Sequence, residues 1–415
     1  MSDSWDVVDL LAEIADVGRD PVRGGYSRHV FEPAELELRA WFTRRARALG
    51  LTVEPDRNGN IWAHWGQPGP GTVGTGSHLD SVPGGGAYDG PLGVVAALSA
   101  VARLKEDRFV PVRPLAVIAF AEEEGSRFGI ACLGSKLMTG AVDPAEIAAR
   151  TDAAGVTFAQ AAAAAGVDPA GIGRDEERLS SLGCLVELHV EQGRALEDIG
   201  APVAVASAIL AHGRWRLTFY GEGNHAGATP MTGRRDPVVA ASAAVLAARD
   251  IAAAADNPGG GVSARATVGR IVPVPGGTNV IASRVDAWLD VRGDTDPATR
   301  ALVAGISAAM QIASAKQGCR MEITRESYLP EVAFDPGLRD RLRAALAAVP
   351  EFGEVPVLAT GAGHDAGVLA AELPTAMLFV RNPTGVSHAP GESAPDDDCR
   401  AGAAALATVL RALAG

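Results

Sequence analysis

The chain has 415 residues, room for two or three domains and a large core. A net charge of −13 argues against nucleic acid as a partner, because phosphate binding needs a basic face; 47% hydrophobic residues argue against disorder. No stretch offers about 18 apolar residues uninterrupted by Gly or charge, so no membrane span is expected.

The first segment, MSDSWDVVDLLAEIADVG, is acidic, amphipathic and without a basic leader. That predicts a helix over 5–17 rather than a signal peptide. Leu36, Leu38, Trp41, Phe42 and Leu49 recur at helical spacing and predict a second helix over 33–49. A polar turn (Asp56, Arg57, Asn58, Gly59, Asn60) leads into IWAHW, read as a strand. TVGTGS, PLAVIAFA, CLVELHV and TAMLFV follow as short apolar runs, with gaps that mostly have room for helices. The Ala tract at 159–166 favours helix and suggests no function. Strands alternating with helices give an α/β class with a mixed, largely parallel sheet covered on both faces.

The middle of the chain reads differently. RWRLTFYGEG is a strand, 235–256 an Ala-rich helix, and ARATVGRIVPV and VDAWLDVRG are alternating strands. A helix over 297–317 and the strand RMEITRES complete a β-α-β-β-α-β order. That order suits a ferredoxin-like α+β domain at about 211–327, inserted between 1–210 and 328–415, which together form the larger domain. Cys132, Cys184, Cys319 and Cys399 lie far apart without a CxxC pair, as expected of reduced thiols in a cytoplasmic protein.

The chemistry gathers in a few segments, several of them at strand ends, where open α/β sheets bind ligands. SHLDSV carries His78 and Asp80, GGGAYDG carries Asp89, and AEEEG carries Glu122, Glu123 and Glu124. ELHVEQG adds His189, Glu191 and Gln192, and SHAPGE adds His388. Imidazole with carboxylate is the ligand set of a borderline divalent metal such as Mn, Co, Ni or Zn. His78 can face a metal while the Asp80 carboxylate orients its ring, and Asp89 can give one oxygen to each of two ions. Three adjacent glutamates repel one another unless a cation or solvent relieves them, so a solvated acidic turn is the plain alternative. In the functional reading Glu124 is a ligand and Glu123 the general base. His189 and His388 complete the ligands, one per metal, although either alone reads equally well as a satisfied core histidine. Gln192 is placed to contact substrate. Two ions about 4 Å apart would lower the pKa of a water and polarise a scissile carbonyl. Nucleotide binding by GGGAYDGPLG is a poor fit, since it lacks the Gly-Lys-Ser/Thr ending of a P-loop.

SHLDSVPGGGAYDG, AEEEGSRF, VELHVEQG, NHAGATPM, GGTNVI, LDVRGD, GAGHDA and VSHAPGE occur in that order along nearly the whole chain. In this the chain resembles the amidase/hydantoinase/carbamoylase branch of the dinuclear metallopeptidase clan. Its relatives there are N-carbamoyl-L-amino acid hydrolases, allantoate amidohydrolases and β-ureidopropionases. The resemblance implies two divalent metals held by His78, Asp89, Glu124, His189 and His388, with Asp89 bridging and Glu123 as acid/base. It implies that His225 stabilises the oxyanion, that Asn279 and Arg292 hold a substrate carboxylate, and that Gly361, beside His364 and Asp365, offers a backbone contact. It also implies a homodimer, in which the inserted domain acts as a lid and lends residues to the neighbouring active site. The expected activity is hydrolysis of the ureido C–N bond of N-carbamoyl-L-amino acids. Allantoate or β-ureidopropionate hydrolysis is the alternative, and a non-catalytic binding protein on the same fold the reading from another class. NVIASR, VPGGG and NHAGATPM depart from the usual NVIPGR, VPNGG and NHAGTTPM, which bears on substrate preference rather than on ligands or base.

Overall fold

The apolar runs at either end of the chain become the parallel centre of one sheet. The computed structural model describes residues 4–256 and 264–415, and its contacts divide the chain into Met1–Ala208 with Ala333–Gly415, and Ile209–Val332. In the first unit the nine-stranded sheet runs Thr52–Pro55, Ile61–Trp65, Leu115–Phe120, Thr72–His78, Leu182–Val190, Thr375–Val380, Val203–Ile209 and Val332–Ala333 in space, with Val357–Thr360 pairing off that path. The four strands from Leu115–Phe120 to Thr375–Val380 are mutually parallel, and Ile61–Trp65 and Val203–Ile209 close each side antiparallel. Every residue of Thr72–His78, Leu115–Phe120 and Thr375–Val380 is buried, which is why these strands read as unbroken apolar runs rather than alternating ones.

Helices Pro91–Glu106 and Asp396–Ala414 pack on this sheet through Leu92, Val95, Leu98, Leu406 and Leu410 against Val73, Val117, Val186 and Leu378. Asp396, Asp397 and Asp398 fill the first turn of the last helix, where its dipole favours anions. The first helix is Val7–Glu13, shorter than the 5–17 expected from periodicity. The reason lies in the tertiary structure. Buried Arg28 donates to the Val17 and Ile14 carbonyls, both at 2.9 Å, and the Tyr26 hydroxyl donates to Ala15 O, so these carbonyls are satisfied without another helical turn.

Register sets the site. His78 is level with Phe120, after which the glutamates begin, and His189 is level with Phe379. Parallel pairing therefore brings His78, the glutamate turn and His189 to one edge. The polar turn before IWAHW braces that edge: buried Asp56 accepts from Asn58 N, Asn60 N, Asn60 Nδ2 and Trp62 Nε1 at 2.7–3.1 Å. Asn60 Oδ1 in turn accepts from Ala121 N, one residue before the glutamates.

The second unit has a four-stranded antiparallel sheet in the order Arg320–Leu329, Ala211–Tyr220, Arg284–Gly293, Ala264–Val274. Helices Pro237–Ala255 and Asp296–Lys316 complete the β-α-β-β-α-β order. Alternation decides the faces: Trp215, Leu217, Phe219, Val285, Ala287, Leu289 and Val291 point into a core with Ala240, Ala244, Ile306 and Met310. Pro237–Ala255 is the one helix among the described residues long and apolar enough to cross a membrane by length and composition. Its small residues pack on the sheet, and the Arg249–Asp250 pair interrupts it.

Asp56→Ala leaves Asn58 N, Asn60 N and Trp62 Nε1 buried without an acceptor, while Asn60 Nδ2 keeps Gly134 O, so it should destabilise the first unit by about 3 kcal/mol or more. Asp56→Asn, which keeps one acceptor oxygen, should cost visibly less in urea unfolding followed by near-ultraviolet circular dichroism.

Candidate metal centre

Asp89 stands at the middle of the cluster. Its Oδ1 lies 3.6 Å from His78 Nε2 and 3.3 Å from His189 Nε2, and its Oδ2 lies 3.5 Å from His388 Nε2. Glu124 Oε2 is 3.3 Å from the same His388 nitrogen. Two donor groups result, His78–Asp89–His189 and Asp89–Glu124–His388, each with ligand atoms within 4.8 Å of one another. They share Asp89, one oxygen turned to each. Gly90 permits this: it sits at φ +84, and a Cβ there would lie 2.4 Å from the His78 ring.

The imidazoles are set for ligation by their other nitrogens. His78 Nδ1 is 3.0 Å from the Asp80 carbonyl and His189 Nδ1 is 2.9 Å from the Val190 carbonyl. Each carbonyl requires Nδ1 to carry the proton, which leaves the Nε2 lone pairs facing Asp89. Both Nε2 atoms are buried without a hydrogen-bond partner among the described residues. Left unpaired, such a buried nitrogen costs about 1–3 kcal/mol, which either a proton shared with Asp89 or a divalent ion held by both rings relieves. These residues therefore fit a metal.

Electrostatics point the same way. Burial opposes charge on His78, but Glu123, Asp89, Asp80 and Glu124 outweigh it and hold the ring well above the usual imidazole range. Burial likewise opposes the Asp89 carboxylate, yet the His189 and His78 rings hold it well below its usual range. Burial lifts Glu124 to about 8, with Asp89 adding to the rise. Without a cation the imidazoles take up protons to offset the carboxylates, and a bound divalent ion replaces those protons.

Glu123 fronts the first donor group. Its Oε2 lies 3.7 Å from His78 Nε2, while Oε1 accepts from the Cys132 thiol at 3.3 Å. Burial first, then Asp365 and Glu124, lift its carboxyl well above the usual range. Asp80 does more than its expected part. Its main-chain carbonyl makes the hydrogen bond to the His78 ring, with the carboxylate Oδ1 3.7 Å from the same nitrogen; the carboxylate also accepts from Glu123 N at 3.2 Å and Glu124 N at 3.1 Å and so aims the glutamate turn. Glu122 and Glu191 stand outside both donor groups. Glu122, at φ 53, accepts from Arg127 N and Phe128 N, and Glu191 accepts from Ala195 N and Leu196 N at a helix start.

Gln192 Nε2 donates to Asp89 Oδ2 at 2.9 Å and to Ser387 Oγ at 3.1 Å, which places the side chain at the rim of the second donor group. Gly361 lies in the loop between Val357–Thr360 and the helix Asp365–Leu369. Next to it the His364 ring is 4.5 Å from that of His189, with both nitrogens buried and without a hydrogen-bond partner among the described residues. His225, Asn279 and Arg292 belong to the second unit. There His225 Nδ1 accepts from Gly227 N and Ala228 N, both at 3.1 Å, so Nε2 carries the proton. Asn279 is adjacent, its carbonyl accepting from Ala226 N at 2.9 Å. Arg292 is half-buried on the sheet face away from the helices, its Nε donating to Asp290 Oδ1 at 3.0 Å.

Two supporting acids escaped the reading of the sequence. Glu187 accepts from Ser77 Oγ and Ala366 N at 2.9 Å, and Glu392 accepts from Tyr88 N and Asp89 N at 2.9 Å. A charge inside the apolar run CLVELHV was the available signal for the first, and the acid that ends SHAPGE for the second.

A family model described as Peptidase family M20/M25/M40 matches residues 74–412. The chain is 35% identical over 399 residues to an N-carbamoyl-L-amino acid amidohydrolase of Geobacillus stearothermophilus, covering 95% of each. It is 32% identical over 412 residues to an allantoate amidohydrolase of Escherichia coli, covering 98% of this chain and 97% of that one. Among solved structures, an amidase of the hydantoinase/carbamoylase family from Burkholderia multivorans aligns with a TM-score of 0.87 at 30% identity, covering 98% of this chain and 97% of that one.

Stripping the protein with a chelator should lower its melting temperature, and returning a divalent ion should restore it. A single site at a hundredfold excess of ion over Kd adds about 2.7 kcal/mol, readable by thermal shift.

Proposed function

Because the chain belongs to peptidase family M20/M25/M40, a metal-dependent family, and its relatives include amidohydrolases of ureido compounds, we propose that it hydrolyses the ureido C–N bond of N-carbamoyl-L-amino acids. The products are the amino acid and carbamic acid, which falls apart to ammonia and carbon dioxide. The observation that carries this reading is the pair of donor groups sharing Asp89, with the Glu123 carboxyl beside them.

His78, Asp89 and His189 would hold one divalent ion, and Asp89, Glu124 and His388 a second; Mn, Co, Ni and Zn all suit such donors. Bound there, the ions supply a lowered water pKa and a polarised scissile carbonyl. Glu123 takes a proton from the attacking water and returns it to the leaving nitrogen. Its raised affinity for protons supports that shuttle. His225 donates from Nε2 to the developing oxyanion, consistent with an Nδ1 already occupied by two N–H groups. Arg292 takes the substrate carboxylate through its planar fork, assisted by the Asn279 amide. Gly361 contacts the substrate through its backbone, and the Gln192 amide exchanges Asp89 Oδ2 for the substrate.

The protein acts as a homodimer in a reducing cytoplasm on this reading. Exposed Val238, Val239 and Leu246 on one helix, and the outer edge of the Ala264–Val274 strand, are what a two-fold pairing would cover. Four buried cysteines without a disulfide suit the compartment.

Allantoate hydrolysis is the second reading, favoured by the Escherichia coli relative. Ammonia release from N-carbamoyl-L-amino acids, allantoate and β-ureidopropionate separates them: carbamoyl amino acids should turn over fastest. Faster turnover of allantoate overturns the substrate, and no turnover on any ureido compound overturns the enzyme.

Glu123→Gln should lower kcat by about 10²–10⁴-fold with metal content unchanged. Arg292→Ala should reduce kcat/KM by roughly 10–100-fold, mainly through KM, because a charge-assisted hydrogen bond contributes about 1.5–3 kcal/mol.

A further inference from the structure

The two donor groups are anchored differently. His78 and His189 emerge from buried parallel strands, where the sheet holds their backbones. Asp89 and His388 sit on loops. His388 is at φ 57 with its side chain 49% exposed. Side chains join these loops at their tips, where Ser387 Oγ donates to Asp89 Oδ2 at 3.1 Å and Gln192 Nε2 bridges the two; Glu392 joins their backbones. It is buried, and its Oε1 accepts from Tyr88 N and Asp89 N at 2.9 Å, gripping the backbone that carries the shared carboxylate. Its own N–H donates to the Ala389 carbonyl at 3.1 Å, closing the turn that follows His388. The contact is tight: a Cβ on Gly86 would lie 2.1 Å from Glu392 Oε1.

We infer that Glu392 is a positioning residue for the second metal. It fixes the Asp89 loop against the His388 loop, so that Asp89, Glu124 and His388 meet at one point. The inference rests on the two-ion reading above. Without the Glu392 carboxylate the first donor group keeps two strand-held imidazoles, whereas in the second the backbones of the Asp89 and His388 loops lose their link and only the Ser387 and Gln192 side chains still join them. Loss should therefore be lopsided.

The test is metal titration of the chelated full chain with Mn or Zn, scored by equilibrium dialysis and thermal shift. The unaltered protein should bind two ions. Glu392→Ala should keep the tighter ion and weaken the other by about 10–100-fold, the range expected when a supporting partner of a ligand is removed. Glu392→Gln retains an oxygen that accepts both N–H groups and should bind close to the unaltered protein. Gly86→Ala, which displaces the carboxylate without removing it, should reproduce the lopsided loss even if Glu392→Ala fails to fold. Two ions at unaltered affinity in Glu392→Ala or Gly86→Ala, equal weakening of both ions, or a folded Glu392→Gln as impaired as Glu392→Ala would each overturn the inference. Fewer than two ions on the unaltered protein overturns the two-ion reading, and the inference with it.

Discussion

Like charges crowded out of water are the constraint around which this protein is built. Asp80, Asp89, Glu123, Glu124, Glu187, Asp365 and Glu392 are gathered beside His78, His189 and His364, most of them fully buried. In a medium of low dielectric such neighbours repel strongly, and a carboxylate stays ionised there only beside positive charge. Asp89 shows how the tension is resolved. It alone is held well below its usual range, because it alone has imidazoles on both sides, while Glu123, Glu124 and Asp365 are pushed upward. A bound cation answers the same imbalance without protons, which is why the arrangement is chemically useful rather than merely costly.

The parallel sheet makes that crowding tolerable. Strands with every residue buried leave the backbone no freedom, so the carbonyls of Asp80 and Val190 can select one tautomer of His78 and His189. The next layer consists of acids that stand outside both donor groups. The Asp80 carboxylate holds the glutamate turn by two N–H groups, Glu392 holds the Asp89 loop the same way, and Glu187 ties Ser77 to Ala366. Each accepts at least one hydrogen bond from a backbone N–H, which fixes position more firmly than side-chain contacts between flexible groups. The second unit applies one such device to His225, whose Nδ1 is occupied by two consecutive N–H groups so that Nε2 is left to donate.

The sequence alone determined the elements whose cause is local. Unbroken apolar runs predict fully buried strands, alternation predicts the half-buried strands of the second unit, and both patterns appear where the periodicity placed them. His78, Asp89, Glu124, His189 and His388 were legible as a chemical set because histidines are few and lie beside acids in short glycine-bearing segments. Tertiary structure decided what depends on distant partners. The first helix stops at Glu13 because Arg28 and Tyr26 occupy the carbonyls that follow. Of three adjacent glutamates, Glu122 turns away to cap Arg127 and Phe128, since a left-handed residue redirects the chain there. The Asp80 and Glu392 carboxylates each accept from two backbone N–H groups, and no spacing reveals this. A carboxylate looks the same in sequence whether it faces a cation or an N–H group; only the three-dimensional neighbourhood sets which one it meets.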